Sequence, residues 1–364
     1  MESVFDKELD ALVETARRFA KKEILGKVVK LDSLEKPAFP WEAIQSGGEA
    51  GFLTGPLDAD LGGADLGLDA MAVLVEHLAE GATGPAAIFA THLAAVTKLA
   101  DRPGAKALLE QMAEHCADEK PFLFGVALPA TAVPLDRPAS PIVEDRNGDL
   151  EITGDFLCLP SPDLCRHVLV ATGEKADYLA VLDGEKLRPY SFDAYPGSGL
   201  DEFHPAGLKL DGVKATDDEV IGSAPAATLY RDIRVLLSAA QVGNARAAAN
   251  YAFEYAHERV QTGRKIIEHQ QVRKMIEGMF EKVEAAMGSV RLAANAPDGD
   301  AGCGIARRAY TSVGTAVEEV CQDAVQSLGG YGYMKDYGIE KRLRDAKSLQ
   351  CLLGTYPEDV LGGP

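Results

Sequence analysis

The sequence lacks any long hydrophobic run. In its opening stretch, MESVFDKELDALVETARRFAKKEI, charged residues recur every few positions. Secretory signals and membrane anchors need an uninterrupted apolar segment, so this stretch argues against both. We therefore expect a cytoplasmic protein that has no membrane partner.

The sequence is also poor in positive charge. It has 37 basic and 56 acidic residues, which gives a net charge of −19, and no segment concentrates lysine and arginine. A field of this sign repels phosphate backbones and anionic lipid surfaces. We therefore expect no nucleic-acid partner.

Closely spaced cysteine pairs are absent as well. The six cysteines are scattered along the chain: Cys116, Cys158, Cys165, Cys303, Cys321 and Cys351. Zinc sites, iron–sulfur clusters and disulfide frameworks all need a recurring spacing. The pattern predicts no metal site and reduced, mostly buried thiols.

The chain does contain two kinds of hydrophobic periodicity. Apolar residues recur at helical spacing up to about residue 117, including a helical segment over 89–116, and again after residue 224. Between them, short apolar runs are bounded by Pro, Gly and Asp, which is typical of a small antiparallel β domain. We predict an α+β protein with an N-terminal helical domain (1–120), a middle β-barrel or sheet domain (121–223) and a C-terminal helical bundle (224–364).

Several motifs resemble those of the acyl-CoA dehydrogenase family over essentially the whole chain. The most specific lie in the last third: HERVQTGRKIIEHQQ, AVQSLGGYGYMKDYGIEKRLRDAK and QCLLGT. The segments GEAGFLTGPLDADLGGADLGL and LKLDGVKATDDEVIG resemble the family's N-terminal helical region and the exit from its β domain. The resemblance implies a C-terminal four-helix bundle. It also implies an FAD at each subunit interface, with its pyrophosphate and adenine bound by the neighbouring chain.

The resemblance assigns site residues one by one. Arg259 matches the arginine that binds the pyrophosphate, although an arginine at a helix end more often forms a surface ion pair. Arg234 matches a residue of the substrate region. Thr262 stands where the family usually has an aromatic residue. The other matched cofactor positions are Gln270, Gln326, Gly329, Gly330 and Thr355.

Further matches also have a structural alternative, which for Arg234 is an ion pair. Gly329 and Gly330 follow a helix, where a glycine pair is often a plain C-cap. Arg344 and Asp345 also match the family, and for both of them we expect a structural ion pair.

The base position departs from the family pattern. Most members have a glutamate before the last Gly-Thr, and Leu353 occupies that position here. Leucine accepts no proton. The alternative position in the family is filled by Ile233. Asp232 and Glu358 are weak substitutes, because Asp232 lies about 100° around the helix from the matching position and Glu358 lies in a tail.

The positions that bind the flavin ring depart as well. Pro129 and Leu135 align with two hydroxyl residues of the family. Cys158 and Pro160 align with its tryptophan and threonine. The expected hydrogen-bonding side chains are missing at three of these positions, and the expected aromatic ring is missing at the fourth.

These departures predict a subunit rather than a self-sufficient enzyme. The resemblance implies α,β-dehydrogenation of an acyl-CoA in lipid metabolism, with electrons leaving through an electron-transferring flavoprotein. We expect an α2β2 heterotetramer with a homologous catalytic subunit, and fewer than one FAD per chain. Two alternatives remain open: a self-sufficient enzyme with altered chemistry, and a non-catalytic assembly or acyl-CoA-binding protein.

Overall fold

The computed structural model describes residues 4–25, 27, 38–100, 102–129, 142–146, 149–172, 178–192, 198–216, 218–220 and 226–353. Helices precede and follow a central sheet, which is the predicted order. The ten α-helices of these residues are α1 Val4–Phe19, α2 Trp41–Glu49, α3 Leu68–Gly81, α4 Thr83–Ala100, α5 Lys106–Glu114, α6 Gly184–Leu187, α7 Ala226–Glu258, α8 Gln270–Ala294, α9 Asp300–Leu328 and α10 Ile339–Leu352.

The helical segment predicted over 89–116 is divided in two. A 3₁₀ turn, Pro103–Ala105, separates α4 from α5. Proline has no N–H to continue the helical ladder and its ring clashes with the preceding turn, so the helix ends before it. The periodicity on either side predicted the two helices but not the break.

A seven-stranded sheet forms the middle of the chain, in the order β5-β4-β1-β3-β7-β6, with β2 paired to β3. Its strands are β1 Phe124–Pro129, β2 Ile142–Arg146, β3 Asp149–Leu159, β4 His167–Thr172, β5 Tyr178–Asp183, β6 Ser191–Phe192 and β7 Ala206–Ala215. The pairing is antiparallel except between β1 and β4. The chain reverses through β2 and β3 before it reaches β4, so β4 runs in the direction of β1.

The two faces of the sheet pack against different cores. Because side chains alternate along a strand, Val126 and Leu128 join the main core, whereas Ala127 joins a smaller core on the other face. The main core also contains the buried sides of the helices. The sheet is thereby fixed to the helical bundle.

Four long helices follow the sheet: α7, α8, α9 and α10. α7 has 33 residues and lies in the centre of the fold, where most of its small side chains from Ile233 to Ala256 are fully buried. Alanine and glycine allow neighbouring helices to approach closely, and an added Cβ at Gly243 would lie 1.9 Å from the carbonyl oxygen of Glu76 in α3. No helix of the described ranges is long and apolar enough to cross a membrane.

All six cysteines lie in the described part of the chain and are free thiols. Cys158, Cys165 and Cys321 are buried, whereas Cys116 and Cys303 are half-buried and Cys351 is exposed. The prediction of mostly buried thiols therefore holds for half of them. No group of three or more metal-ligating side chains occurs among the described residues.

Candidate functional site

A cavity of about 1370 Å³ lies at the end of α7. Its walls come from the last turn of α7, the first turns of α8, and the end of α9 with the turn that follows. Five of the predicted cofactor residues line it: Arg259, Gln270, Gln326, Gly329 and Gly330. The fold thus brings two separate motifs to one place. Thr355 lies outside the described residues.

A short hairpin closes one side of the cavity. Its strands are β8 Val260–Gln261 and β9 Arg264–Lys265, and the turn between them passes through Thr262 and Gly263 at φ 55° and 81°. Two successive positive φ angles suit the right-handed twist of a tight hairpin. The threonine at the family's aromatic position is therefore at the tip of this turn.

Hydrogen bonds fix the ring of His269 beneath the hairpin. Arg264 Nη2 lies 3.0 Å from His269 Nδ1, and Thr262 Oγ1 lies 3.3 Å from His269 Nε2. Since arginine only donates, Nδ1 accepts, and Nε2 carries the proton that is donated to Thr262. The threonine hydroxyl in turn donates to the Gln261 carbonyl at 2.7 Å. These bonds join the hairpin to the residue that precedes α8.

Arg259 is the first residue after α7. Its backbone N–H donates to Tyr255 O and its carbonyl accepts from Ile266 N, so the backbone is fixed on both sides. Its guanidinium carbon lies 5.5 Å from the centre of the Tyr331 ring. Across the described ranges no carboxylate lies within 4 Å of this guanidinium, so the surface ion pair considered above is not formed there. The charge is available to an anion in the cavity.

The glycine pair at the end of α9 opens the cavity. Gly329 caps α9 at φ 59°, a conformation that favours glycine, and in this respect it is the C-cap considered above. A Cβ added at Gly329 or Gly330 would meet no atom within 4 Å. Gly332 differs, because an added Cβ there would lie 2.3 Å from Val325 O. The space beside Gly330 is therefore open for a ligand to approach the backbone.

These features fit the adenine and pyrophosphate half of a dinucleotide. The cavity offers one guanidinium that no described carboxylate neutralises, the Gln270 and Gln326 amides, and open backbone at the glycine pair. Arginine binds phosphate oxygens through a fork of N–H donors, and glycine lets main-chain N–H groups approach a phosphate closely. The sequence motifs did not identify Tyr255, His269 and Tyr331 as members of this cavity, although His269 and Tyr331 lie within the motifs quoted above.

The described residues predicted at the flavin-ring positions do not offer the side-chain hydrogen bonds of the family. Pro129 ends β1 and is buried, and Pro160 is buried beyond the end of β3. The Cys158 thiol is fully buried in the smaller core and donates to Pro160 O at 3.1 Å. Burial raises the pKa of this thiol far above its usual range. Leu135 lies outside the described residues.

The residues predicted at the two positions of the family base are apolar in the structure. Leu353 caps the C-terminus of α10, is 6% exposed and belongs to the main core. Ile233, at the alternative position, is fully buried. Neither side chain accepts a proton.

Asp232 is engaged in a buried ion cluster between α4 and α7. Its carboxylate lies 2.5 Å from Lys98 Nζ and 2.8 Å from Arg231 Nε, and the residue is 1% exposed. Arg231 also pairs with Asp298. These contacts favour a structural role for Asp232. Glu358 lies outside the described residues.

Arg234 lies one turn from Tyr230 on α7. Its guanidinium carbon is 5.6 Å from the centre of the Tyr230 ring, and the side chain is half-buried. Burial raises the pKa of the Tyr230 hydroxyl, while the nearby Arg234 charge lowers it. Arg234 does not line the cavity that contains Arg259.

Arg344 and Asp345 connect α10 to the segment before β7. Arg344 Nε donates to Glu340 at 2.6 Å, and its Nη1 donates to Ser198 O at 2.5 Å. Asp345 accepts from Lys341 Nζ at 2.7 Å and from the Leu200 backbone N–H. These are the structural contacts expected for both residues.

Comparison with known proteins gives one consistent result. Residues 6–120 match the family model "Acyl-CoA dehydrogenase, N-terminal domain", and residues 226–356 match "Acyl-CoA dehydrogenase, C-terminal domain". Together they cover more than half of the chain.

Relatives and solved structures agree with these matches. An acyl-CoA dehydrogenase of Bacillus subtilis is 27% identical, with 93% of this chain and 92% of the relative covered. A cyclohex-1-ene-1-carbonyl-CoA dehydrogenase of Geobacter metallireducens is 28% identical, with 94% and 93% covered. The structure of butyryl-CoA dehydrogenase from Megasphaera elsdenii superposes with a TM-score of 0.83 at 20% identity, over 99% of this chain and 98% of that one. That superposition supports the predicted fold.

Proposed function

Because the chain belongs to the acyl-CoA dehydrogenase family, we propose that it is a subunit of an FAD-dependent acyl-CoA dehydrogenase. In this proposal it contributes adenine and pyrophosphate contacts to an FAD shared with a homologous catalytic subunit. It contributes no catalytic base of its own.

The observation that carries the proposal is an asymmetry between two parts of the chain. The cavity around Arg259 has the open backbone and available charge that a dinucleotide phosphate needs. The base position, in contrast, holds the buried Leu353. A chain of this kind supports a neighbour's cofactor better than its own chemistry.

The proposed reaction is α,β-dehydrogenation of an acyl-CoA thioester. A carboxylate of the partner removes the α-proton, since Leu353 cannot. FAD, when bound, supplies the acceptor for the hydride from the β-carbon. This chain holds the phosphate through Arg259, with Gln270 and Gln326 as amide partners. Electrons then pass to an electron-transferring flavoprotein.

The proposed assembly is an α2β2 heterotetramer with a homologous subunit that retains the glutamate. Closed symmetry makes each type of interface occur twice, so a competent site at one interface type gives about one flavin for every two chains. The contacts of Asp232 and Asp345 support this proposal over a self-sufficient enzyme, because both carboxylates are engaged by cations within the fold.

Co-expression with a glutamate-containing homologue from the same genome tests the proposal. We expect a complex with about half a flavin per chain, which flavin absorbance against protein concentration measures. Arg259→Ala should lower its FAD affinity about 10- to 100-fold, because a charge-assisted phosphate contact is lost. Arg291→Ala, an exposed arginine of α8 away from the cavity, is the matched control.

Two outcomes would reject the proposal in different ways. One full flavin per chain with acyl-CoA dehydrogenation by this chain alone would establish a self-sufficient enzyme. No flavin in either the isolated chain or the co-expressed complex would leave the non-catalytic alternative. Replacing the partner's glutamate by glutamine should abolish activity while the flavin stays bound.

A further inference from the structure

An Arg259 side chain that is already oriented loses less conformational freedom when a ligand binds. Arg259 is an exposed residue at the start of the hairpin, with a long side chain that loses rotamer entropy when it is fixed. A carboxylate would hold the guanidinium but would also neutralise its charge. Within the described residues the contact made by this guanidinium is with an aromatic ring, Tyr331.

Tyr331 is itself held in place. It lies in the 3₁₀ turn Gly329–Tyr333, and its ring centre is 5.1 Å from that of Tyr337 at an interplanar angle of 31°. Tyr337 ends a second 3₁₀ turn immediately before α10, and its N–H donates to Met334 O. The result is a row of three side chains: Arg259, Tyr331 and Tyr337. Both turns leading into α10 thereby support the guanidinium.

An aromatic ring is suited to this position. The ring quadrupole attracts a cation without cancelling its charge, so the guanidinium keeps its ability to pair with an anion. Tyr331 also lines the same cavity as Arg259. Its ring gives the cavity an aromatic surface. The hairpin does not supply one, because Thr262 stands where the family usually has an aromatic residue.

We propose that Tyr331 is a positioning residue that orients the Arg259 guanidinium toward the diphosphate group of a bound dinucleotide, with Tyr337 supporting its ring. The choice of ligand rests on the proposed function. The orientation of Arg259 by Tyr331 does not, and it can be tested without any ligand.

The ligand-free test uses nuclear magnetic resonance on the full chain. A side chain held beside a ring experiences its ring current, so the Arg259 side-chain signals should shift in Tyr331→Leu and stay in place in Tyr331→Phe. Tyr333→Leu is the matched control, since Tyr333 lies in the same turn but is 72% exposed and does not line the cavity. Unchanged Arg259 signals in Tyr331→Leu would overturn the proposal.

The binding test uses calorimetric titration with ADP, which carries the adenine and diphosphate groups. Tyr331→Leu should weaken ADP binding about two- to fivefold relative to the parent chain. Tyr331→Phe should keep the parent's affinity, because the contact depends on the ring and not on the hydroxyl. In an Arg259→Ala background, Tyr331→Leu should have no further effect. An equal loss in both backgrounds would overturn the positioning role.

The two proposals fail differently. If Arg259→Ala leaves ADP affinity unchanged, or the parent chain binds no ADP, the proposed function loses its support while the magnetic resonance result still decides the orientation. If Arg259→Ala weakens binding and Tyr331→Leu does not, the proposed function stands and the role of Tyr331 is wrong.

Discussion

The side chain of Asp345 accepts a hydrogen bond of 2.8 Å from the backbone N–H of Leu200. The contact joins α10 to a segment that precedes β7, and Leu200 has a positive φ of 60°. Non-glycine residues adopt this conformation only at a cost of about 1–2 kcal/mol, so the surrounding contacts must hold it. Asp345 therefore fixes both the local backbone and the contact between the sheet and the helical bundle.

Replacing Asp345 should destabilise the protein strongly. Asp345→Ala leaves the Leu200 N–H without its acceptor and removes one carboxylate from the buried Lys341, which also lies 3.1 Å from Glu202. We expect a loss of about 3–5 kcal/mol in the free energy of unfolding, measured by urea denaturation. Asp323→Ala, which breaks a half-exposed pair with Lys282, is the control and should cost less than about 1 kcal/mol. Similar losses in both variants would contradict the buried role of Asp345.

A second prediction concerns pH and His92. This histidine is fully buried; its Nδ1 accepts from the Phe124 N–H and its Nε2 lies 3.1 Å from Leu53 O, so the ring is neutral with its proton on Nε2. Burial lowers the pKa of His92 to about 4 from an ordinary value of 6.5. The unfolded chain therefore binds this proton at a higher pH than the folded chain. The contribution of neutral His92 to the free energy of unfolding is fully present above pH 6.5 and falls as the pH drops toward 4.

The size of this effect is set by the pKa difference. At pH 5 the His92 contribution should be about 2 kcal/mol smaller than at pH 7.5. Glu202 acts in the opposite direction, because burial raises the pKa of its carboxyl to about 7, so its protonation on acidification favours the folded state. Urea unfolding at both pH values, for the parent chain and for His92→Gln, isolates the histidine. If the free energy of unfolding depends equally on pH in the parent chain and in His92→Gln, the predicted role of His92 is wrong.

The motifs of the last third identified the cavity residues because each motif is local in sequence. Arg259, Gln270 and Gly329 could be named this way, and the fold brings them together. Contacts between distant segments could not be predicted, because no local pattern encodes them. The pairing of Asp232 with Lys98 is one such contact, and the parallel pairing of β1 with β4 is another.

A third prediction is that substitutions of Gly330 and Gly332 by alanine have different effects on stability and on ADP affinity. Gly330→Ala should change the free energy of unfolding by less than about 1 kcal/mol, since the added methyl meets no atom and restricts the unfolded chain. Gly332→Ala should cost about 1–3 kcal/mol, because the methyl is forced against Val325 O. Thermal unfolding distinguishes the two. ADP affinity should show the reverse order, with a loss of about tenfold for Gly330→Ala, since the methyl fills the space that the ligand needs.

The last prediction concerns Leu353, at the position predicted for the base. Leu353→Glu places a carboxylate at the position predicted for the family base, but Pro129, Cys158 and Pro160 remain at the positions predicted to face the flavin ring. We therefore expect no dehydrogenation of an acyl-CoA by the isolated variant, measured as flavin reduction under anaerobic conditions.

The substitution should also destabilise the protein, because a charge enters a site that is 6% exposed. Leu353→Gln, of similar shape and without charge, is the control and should be the more stable of the two at neutral pH. As the pH falls, the glutamate becomes protonated, and the difference in the free energy of unfolding between Leu353→Glu and Leu353→Gln should become smaller. Flavin reduction by Leu353→Glu without a partner would mean that the base is the one missing function of this chain, and the shared-cofactor proposal would then fail.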